Sequence, residues 1–136
     1  MRLIEGPLMP GLIAEVIAGS GGSHDTGAHA LFLGQVRRDR IDGRFVKAIE
    51  YSAYEEMVIM EANKISKTIL SEFEDVRAFE ILHSRGMVKA GETALLVIVS
   101  AGHRQQALAA CGKAVDLINE RLPVWKKELF EDEPDL

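Results

Sequence analysis

The segment from Thr93 to Val99 constrains the fold more than any other part of this sequence. It is a continuous apolar run rich in β-branched residues, a composition typical of a central strand in a β-sheet. Gly91 and Glu92 precede the run and indicate a turn. This segment therefore predicts the middle strand of a sheet.

Two longer segments have the three- and four-residue spacing of apolar side chains that an amphipathic helix requires. Ser52 and Glu55 match a capping box, in which a hydroxyl and a carboxylate satisfy free backbone N–H groups, so a helix is predicted to begin there. Its apolar stripe comprises Val58, Ala62, Ile65, Ile69 and Phe73. A second helix is predicted to be ended by Pro123. The stripe of this second helix comprises Leu108, Cys111, Val115, Ile118 and Leu122.

Two segments before the first long helix predict strands. Ala28 to Val36 is dense in apolar and aromatic residues without helical spacing, which indicates a buried strand that delivers Arg37 at its end. Phe45 to Tyr51 indicates a second strand, and Asp42-Gly43 between the two is a turn signal. Together these segments predict a hairpin with a long basic loop.

The remaining segments complete one predicted domain. Val76 to His83 predicts a strand, followed by a turn at Arg85-Gly86. Leu8 to Ala18 is compatible with a short helix, and Gly19 to Gly27 predicts a flexible loop. The chain has 136 residues, the usual length of one domain. The order of elements predicts an α+β domain over residues 1–136, with two long helices on a mainly antiparallel sheet.

The overall charge and the cysteine count exclude several classes of function. The net charge is −5, whereas a general nucleic-acid binder needs an extended basic face. Cys111 is the only cysteine, which excludes an internal disulfide and a multi-thiolate metal site within one chain. No apolar run approaches the roughly 18 residues of a membrane span, and Met1 to Pro10 lacks the residue order of a signal peptide. We therefore expect a cytoplasmic protein that does not bind membranes or nucleic acid.

Positive residues are clustered despite the acidic total. Arg37 follows a predicted strand, where its guanidinium could fork onto a phosphate. His103-Arg104 stands where a strand gives way to a helix, so its cationic side chains join free backbone N–H groups. Lys126 and Lys127 follow Trp125, whose ring could anchor that segment. Each cluster taken alone could equally be a solvated surface group. Together they suit a small anionic ligand better than a polymer.

The histidines and the cysteine predict neither a metal site nor a nucleophile. His24, His29 and His83 show no ligand spacing with one another, so metal binding is not expected. Cys111 lies on the apolar face of its predicted helix and is interpreted as a small core residue.

Several short motifs, taken in order, resemble the large catalytic subunit of the molybdopterin synthase family. The resemblance covers about residues 28 to 131, and its specificity lies in the order and spacing of the motifs. The motifs are Phe32-Leu33-Gly34-Gln35-Val36-Arg37, Ile49-Glu50-Tyr51, His83 with Arg85-Gly86, Gly91-Glu92, His103-Arg104 and Pro123-Val124-Trp125-Lys126-Lys127-Glu128.

The resemblance implies a fold, a reaction and partners. The implied fold is of the α/β hammerhead type, in a homodimer at the centre of a heterotetramer with a small ubiquitin-like subunit at each end. That small subunit would carry sulfur as a C-terminal Gly-Gly thiocarboxylate. This chain would transfer the sulfur to cyclic pyranopterin monophosphate and so form the dithiolene of molybdopterin. The resemblance implies no metal or organic cofactor.

The resemblance also implies roles for particular residues. The phosphate and pterin of the substrate would be held by Arg37, His103 and Arg104, and the implied substrate-binding set further includes Gln35, Val36, Asn119 and Glu128. Lys126 and Lys127 would be the catalytic residues, because a lysine beside a thioacid can stabilise a developing anion or move protons. Arginine favours bidentate contact with phosphate.

Asn119 departs from the family pattern, which has a lysine at this position. Asparagine cannot supply an ammonium group. Lys126 or Lys127 takes over that role, or the amide contacts substrate, or this member has lost activity. The last alternative leaves open a non-catalytic binding module for a pterin phosphate or for a ubiquitin-like partner tail. A generic anion-binding α+β domain is a third interpretation.

The length of the second helix adds an expectation that does not depend on the family. Arg104 and Asn119 lie at opposite ends of this helix, about 22 Å apart at roughly 1.5 Å per residue. One small substrate cannot easily touch both ends. If both regions serve one site, two chains must share it, with His103 and Arg104 from one chain and the Lys126 segment from the other.

Overall fold

The computed structural model describes residues 1–20 and 24–132, and within these ranges the chain alternates strands with three helices. None of these helices is long and apolar enough to cross a membrane. The elements, in chain order, are β1 (Arg2–Glu5), α1 (Pro10–Ser20), β2 (Ala28–Gln35), β3 (Arg40–Ile41), β4 (Arg44–Ala53), α2 (Glu55–Glu72), β5 (Val76–Lys89), β6 (Thr93–Ala101), α3 (Arg104–Arg121) and β7 (Val124–Phe130).

The strands form one sheet in which nearly all neighbours are antiparallel. The order across the sheet is β2-β6-β5-β4-β3, while β1 pairs with β5 in parallel and β7 pairs antiparallel with β4. This arrangement confirms the predicted α+β class with a mainly antiparallel sheet and two long helices, α2 and α3. The short third helix, α1, was anticipated at Leu8 to Ala18 and begins two residues later, at Pro10.

Strand β6 is apolar from Ala94 to Val99 because helices cover both of its faces. Leu95, Val97 and Val99 belong to the core cluster that includes the buried sides of α2 and α3. Leu96 and Ile98 point the other way and pack in a second cluster with Val16 of α1 and with Leu8. A strand buried on both faces cannot alternate apolar with polar residues, which explains the uninterrupted run from Thr93.

Helix α2 buries the predicted stripe but does not begin with a capping box. Val58, Ala62, Ile65 and Ile69 are buried, as the periodicity predicted. The N-cap residue is Tyr54, which makes no side-chain capping bond. Ser52 instead belongs to β4, where it pairs with Trp125 of β7. The capping-box prediction was wrong because strand pairing extends β4 to Ala53.

Helix α3 contacts the core through a face shifted from the predicted one. Cys111 and Ile118 are buried, but Leu108 is 65% exposed, so its place in the stripe was wrong. The core-facing positions are filled largely by the small residues Ala107, Ala110 and Ala114. Small side chains let a helix approach a sheet closely, and they carry a weak hydrophobic signal in sequence. Because Leu108 is large and apolar, the sequence pattern placed it in the stripe, although alanines mark the face that packs against the core.

The predicted hairpin between β2 and β4 does not form. β2 pairs with β6 and is an edge strand, and its apolar residues Leu31, Phe32 and Leu33 are exposed in the single chain. The prediction of a buried strand there was wrong for the isolated chain. The turn at Asp42-Gly43 was correct, since both residues have positive φ and join the short strand β3 to β4.

Two further boundary predictions need correction. Arg85-Gly86 is not a turn: β5 continues through it to Lys89, and Gly86 has a φ of 94°, a backbone conformation that favours glycine. The strand changes partner around this glycine, from β6 and β1 to β4. In the predicted Gly19 to Gly27 loop, Gly19 and Ser20 belong to α1, and residues 21–23 lie outside the described ranges.

Candidate functional site

A cavity lies where the C-terminal end of α3 meets β4, β5, β6 and β7. Its volume is ≈ 210 Å³, below the roughly 300–1,000 Å³ that usually encloses a small-molecule ligand. The cavity, called the Lys126 cavity below, is lined by Phe32, Gly34, Gln35, Tyr51, His83, Ala94, Leu95, Ile118, Asn119, Leu122, Val124 and Lys126. It brings together three of the predicted site residues, namely Gln35, Asn119 and Lys126.

Strand pairing decides which of the two predicted catalytic lysines reaches the cavity. β7 runs antiparallel to β4, with Lys126 opposite Tyr51 and Lys127 opposite Glu50. Successive side chains of a strand point to opposite faces of the sheet. Lys126 therefore shares the face of Tyr51 and lines the cavity, whereas Lys127 points to the other face and is not among the lining residues.

His83 is a buried titratable side chain in the wall of this cavity. It is only 7% exposed, its Nδ1 lies 2.8 Å from the backbone oxygen of Ser84, and its ring packs edge-on against Tyr51 with the ring centroids 5.1 Å apart. Burial lowers the pKa of His83, the bond to Ser84 opposes that shift, and the positive charge of Lys126 lowers the pKa further. The imidazole is therefore neutral at neutral pH.

Apart from Lys126, the remaining polar groups of the cavity carry no formal charge at neutral pH. Burial raises the pKa of the Tyr51 hydroxyl, so it stays protonated. Gln35 and Asn119 add two amides. Among the lining residues of the described chain there is no carboxylate and no cation besides Lys126. The cavity thus presents a single ammonium group to an anion that enters it.

Two predicted binding residues near the end of β2 lie away from the cavity. Val36 is 2% exposed and packs in a core cluster with Val88 and Ala94. Its backbone is already bonded, since its N–H donates to the oxygen of Glu92 at 3.0 Å. The side chain of Arg37 is 81% exposed and forms an ion pair with Asp39 at 3.3 Å. Val36 is therefore a core residue, and Arg37 stands on open surface.

The rest of the basic loop is bound within the chain. Arg38 forms a bidentate ion pair with Glu131 and stacks over the Phe45 ring at 3.8 Å from its centroid. The guanidinium of Arg40 lies 5.6 Å from the same centroid. These contacts occupy two further arginines of the basic loop that follows β2. Glu128, the last predicted binding residue, is exposed on β7 and pairs with Ile49 of β4.

His103 and Arg104 lie at the other end of α3, in a second region called the Asp75 turn below. Oδ2 of Asp75 accepts the backbone N–H of His103 at 2.8 Å and lies 3.2 Å from its Nδ1. The backbone oxygen of Asp75 accepts the N–H of Gly102 at 3.1 Å, and its own N–H donates to Gln106 at 2.8 Å. These bonds fix the start of the helix, while the His103 side chain stays 84% exposed.

The structure does not bring these two regions together within one chain. His103 is the N-cap of α3 and Asn119 is in its last turn, about 24 Å apart at roughly 1.5 Å per residue. The lining residues of the Lys126 cavity include none from the first turns of α3. Arg37, His103 and Arg104 are therefore exposed groups outside the cavity of their own chain.

Tyr51 and His83 were not among the predicted site residues. Both belong to the motifs that carry the family resemblance, which was the only signal for them in the sequence. Their proximity depends on the pairing of β4 with β5 and β7, which local patterns do not specify. Burial of a histidine in a strand is likewise a tertiary property.

Neither a metal nor a cysteine nucleophile emerges from the geometry. In residues 1–20 and 24–132, no three His, Cys, Asp or Glu side chains are grouped as metal ligands. Cys111 is buried, which confirms its interpretation as a core residue, and burial raises the pKa of its thiol. A thiol kept protonated is a poor nucleophile.

Comparison with known proteins identifies similar sequences and folds. The family model described as MoaE protein matches residues 5–121. A molybdopterin synthase catalytic subunit from Dictyostelium discoideum is 43% identical over 108 residues, covering 79% of this chain and 68% of that protein. The structure of a molybdopterin synthase from Staphylococcus aureus has a TM-score of 0.84 at 28% identity, covering 96% of this chain and 91% of that one. A complex of subunits 1 and 2 of molybdopterin-converting factor from Helicobacter pylori shares the fold, with a TM-score of 0.81 at 20% identity, covering 97% and 86%.

Proposed function

Since the chain belongs to the MoaE protein family and is a molybdopterin synthase catalytic subunit, we propose that its Lys126 cavity receives the thiocarboxylate tail of a small sulfur-carrier subunit. The sulfur passes from this tail to cyclic pyranopterin monophosphate, in two rounds, to form the dithiolene. The observation that carries the proposal is a narrow cavity in which one ammonium faces neutral groups only.

The size and charge of the cavity suit a thin anionic tail. A cavity of ≈ 210 Å³ is small for a whole phosphorylated pterin, but a tail that ends in two glycines has no side chains to accommodate. The thiocarboxylate is an anion, and Lys126 supplies the matching charge. The amides of Gln35 and Asn119 can donate hydrogen bonds to its oxygen or sulfur. An amide at position 119 thereby contributes to binding without a second ammonium.

The phosphate of the substrate is held by cations outside the cavity. Arg37 can make a bidentate contact with it. His103 and Arg104 of a second copy are suited to the same anion, because they stand at a helix N-terminus with exposed side chains. In this proposal one active site takes residues from two chains.

The edge of the sheet supports such a dimer. β2 is an edge strand with exposed Leu31, Phe32 and Leu33, and exposed apolar edges are usually covered in the functional assembly. Phe32 also lines the Lys126 cavity. A second copy on this edge therefore adds a wall to the cavity that one chain leaves open.

A small-subunit partner accords with what is known of the similar proteins. The Dictyostelium relative is a catalytic subunit, and the Helicobacter pylori structure is a complex of two different subunits. We propose a ubiquitin-like carrier with a C-terminal Gly-Gly thiocarboxylate as the partner, one on each copy of a homodimer. The assembly is then a heterotetramer.

Reconstitution tests the proposal. The purified chain, a thiocarboxylated carrier and cyclic pyranopterin monophosphate are mixed, and the dithiolene product is measured. Product is expected with the thiocarboxylated carrier and none with the same carrier bearing an ordinary carboxylate. Absence of product from a mixture in which carrier and pterin both bind would refute catalysis. Such a result would favour the alternative of a non-catalytic binding module, for which Asn119 is the motivating observation.

A further inference from the structure

We propose that His83 is the proton acceptor of the Lys126 cavity, which activates the water molecule that releases the carrier tail after sulfur has been transferred. The inference rests on the proposed function, and it assigns a role to a residue that sequence motifs alone did not place in the site. Its basis is a buried histidine with one nitrogen bonded to the backbone and the other left without a partner.

The hydrogen bond at Nδ1 determines the tautomer of His83. The backbone oxygen of Ser84, at 2.8 Å, can only accept a hydrogen bond. Nδ1 of the neutral ring must therefore carry the proton, and Nε2 must carry the lone pair. In the described part of the chain Nε2 has no hydrogen-bond partner. Since His83 lines the cavity, this lone pair is available to a ligand or a water molecule there.

The surroundings of His83 keep the ring neutral and fixed. β4 contributes Tyr51, whose ring contacts the imidazole edge-on, and β7 contributes the positive charge of Lys126. The adjacent strands β1 and β6 place Leu3 and Leu95 beside it in register. Burial and the lysine charge both disfavour protonation in the resting state. The ring is thus a base at neutral pH, held in one orientation.

The atom balance of sulfur transfer requires a water molecule, and a base that accepts its proton speeds the step. When the carrier sulfur bonds to a carbon of the pterin, the acyl carbon of the tail is still attached to that sulfur. Release needs a new substituent on the acyl carbon, and water supplies it. The water oxygen bonds to the acyl carbon, one water proton moves to Nε2 of His83, and the acyl carbon–sulfur bond breaks. The electron pair stays on the sulfur as a pterin thiolate, and the tail leaves as a carboxylic acid that ionises in solvent.

Lys126 and His83 have separate tasks in this step. The ammonium of Lys126 stabilises the negative charge that develops on the acyl oxygen. The imidazole accepts the proton, a contribution of typically about 100-fold or more to the rate. Without His83, the first carbon–sulfur bond can still form, but the covalent adduct of carrier and pterin breaks down slowly.

The test follows this adduct in a single turnover. Wild-type protein and the H83Q variant are mixed with thiocarboxylated carrier and pterin substrate, quenched with acid, and analysed by mass spectrometry of the intact carrier. Wild type is expected to give carrier carboxylate with little adduct, whereas H83Q accumulates the adduct and releases it at least about tenfold more slowly. H24Q, a histidine-to-glutamine change at an exposed turn outside the cavity, is expected to behave as wild type. H83Q that releases the carrier at the wild-type rate overturns the proposal.

Two measurements on the wild type decide the matter if H83Q does not fold. The first is ¹⁵N NMR of labelled histidine, expected to show His83 with a protonated Nδ1 and a bare Nε2 at neutral pH; the opposite tautomer overturns the proposal. The second is the pH dependence of adduct breakdown, which is expected to slow only below pH 6.5, the ordinary pKa of histidine, because the pKa of His83 is lowered. Wild type that forms no adduct and no dithiolene at any pH refutes the proposed function instead.

Discussion

Two histidines lie near opposite ends of α3, in opposite environments: His83 of β5 near the C-terminal end and His103 at the N-terminal end. At the C-terminal end, His83 is 7% exposed, bonded to a backbone oxygen and neutral. At the N-terminal end, the side chain of His103 is 84% exposed and faces the carboxylate of Asp75. One site removes water from the imidazole and leaves a free lone pair. The other presents a histidine beside an arginine, Arg104, to solvent.

The difference shows what each end can do alone. A small cavity with the buried side chains of Tyr51 and His83 in its wall can hold an entering tail, but it has a single cation among its lining residues. The exposed Arg104 at the other end can attract a phosphate, but solvent screens its charge. Neither end is a complete site for a reaction between an acyl tail and a phosphorylated pterin. The proposed dimer joins the cavity of one copy to the Asp75 turn of the other.

The sharpest test of the cavity end is K126A. Removing the only ammonium in the described cavity wall should lower the rate of dithiolene formation by about 100-fold or more, because a preorganised charge at the reacting centre is lost. K127A is the matched control, since Lys127 points to the opposite face. Its rate should fall less than about threefold, as expected for an exposed charge. Equal losses in the two variants would show that the cavity is not the transfer site.

Mixing two inactive variants tests whether the two ends act across a dimer. K126A damages the cavity, and R104A damages the Asp75 turn. If one active site takes Lys126 from one copy and Arg104 from the other, a mixed dimer has one intact site of two. Random exchange of subunits should then restore about a quarter of the wild-type activity. The control is each variant refolded with itself, which should stay inactive. No recovery in a mixture shown to contain mixed dimers would place both residues in the same chain's site.

The negative charge of the Asp75 turn can be removed without removing His103. D75N keeps one oxygen to accept the backbone N–H of His103 but loses the negative charge beside the imidazole. Because the lost carboxylate would repel a bound phosphate, the affinity for cyclic pyranopterin monophosphate should rise, by up to roughly fivefold. The affinity for the carrier should not change, since its tail binds at the other end. E74Q, the neighbouring acid, is the control for general charge effects. A loss of both affinities would indicate a purely structural role for Asp75.

The contrast between the two ends also explains how far the sequence could predict the site. Lys126, Asn119 and Gln35 were expected in the site, and the structure places all three in the lining of one cavity, while their roles stay predictions. Val36 was expected to bind ligand but is a core residue. His83 was missed because its burial depends on three strands that are distant in sequence. A sequence motif identifies the residue types at a site, whereas the protonation state of His83 depends on the side chains and backbone that surround it in the folded chain.

The fold shows the same division between local and distant information. The middle strand β6 and the buried stripe of α2 follow from local patterns, and both were predicted. The strands β2 and β6 are distant in sequence, so local patterns did not predict their pairing. The predicted hairpin instead paired β2 with the next long strand along the chain, β4. Leu108 misled the helix stripe because small alanines fill the true core face of α3. The exposed Leu31 and Phe32 on β2 look like core residues in sequence because composition does not distinguish exposed apolar side chains of an edge strand from buried ones.

The smallest expected effect concerns Asn119, the one departure from the family pattern. N119K adds a second ammonium to the Lys126 cavity, where Lys126 already meets the need for positive charge. The rate of dithiolene formation at neutral pH should therefore change by less than about threefold. The new charge should also lower the pKa of His83 further, so the loss of rate in acid should move to lower pH. The pH–rate profiles of N119K and wild type check both statements, with N119Q as a control that keeps an amide.

A gain of about 100-fold in the rate of dithiolene formation by N119K, from a near-zero baseline in the wild type, would have a different meaning. It would show that the native chain binds carrier and pterin but lacks the charge needed for turnover, and the cavity would then be a binding site that has lost catalysis.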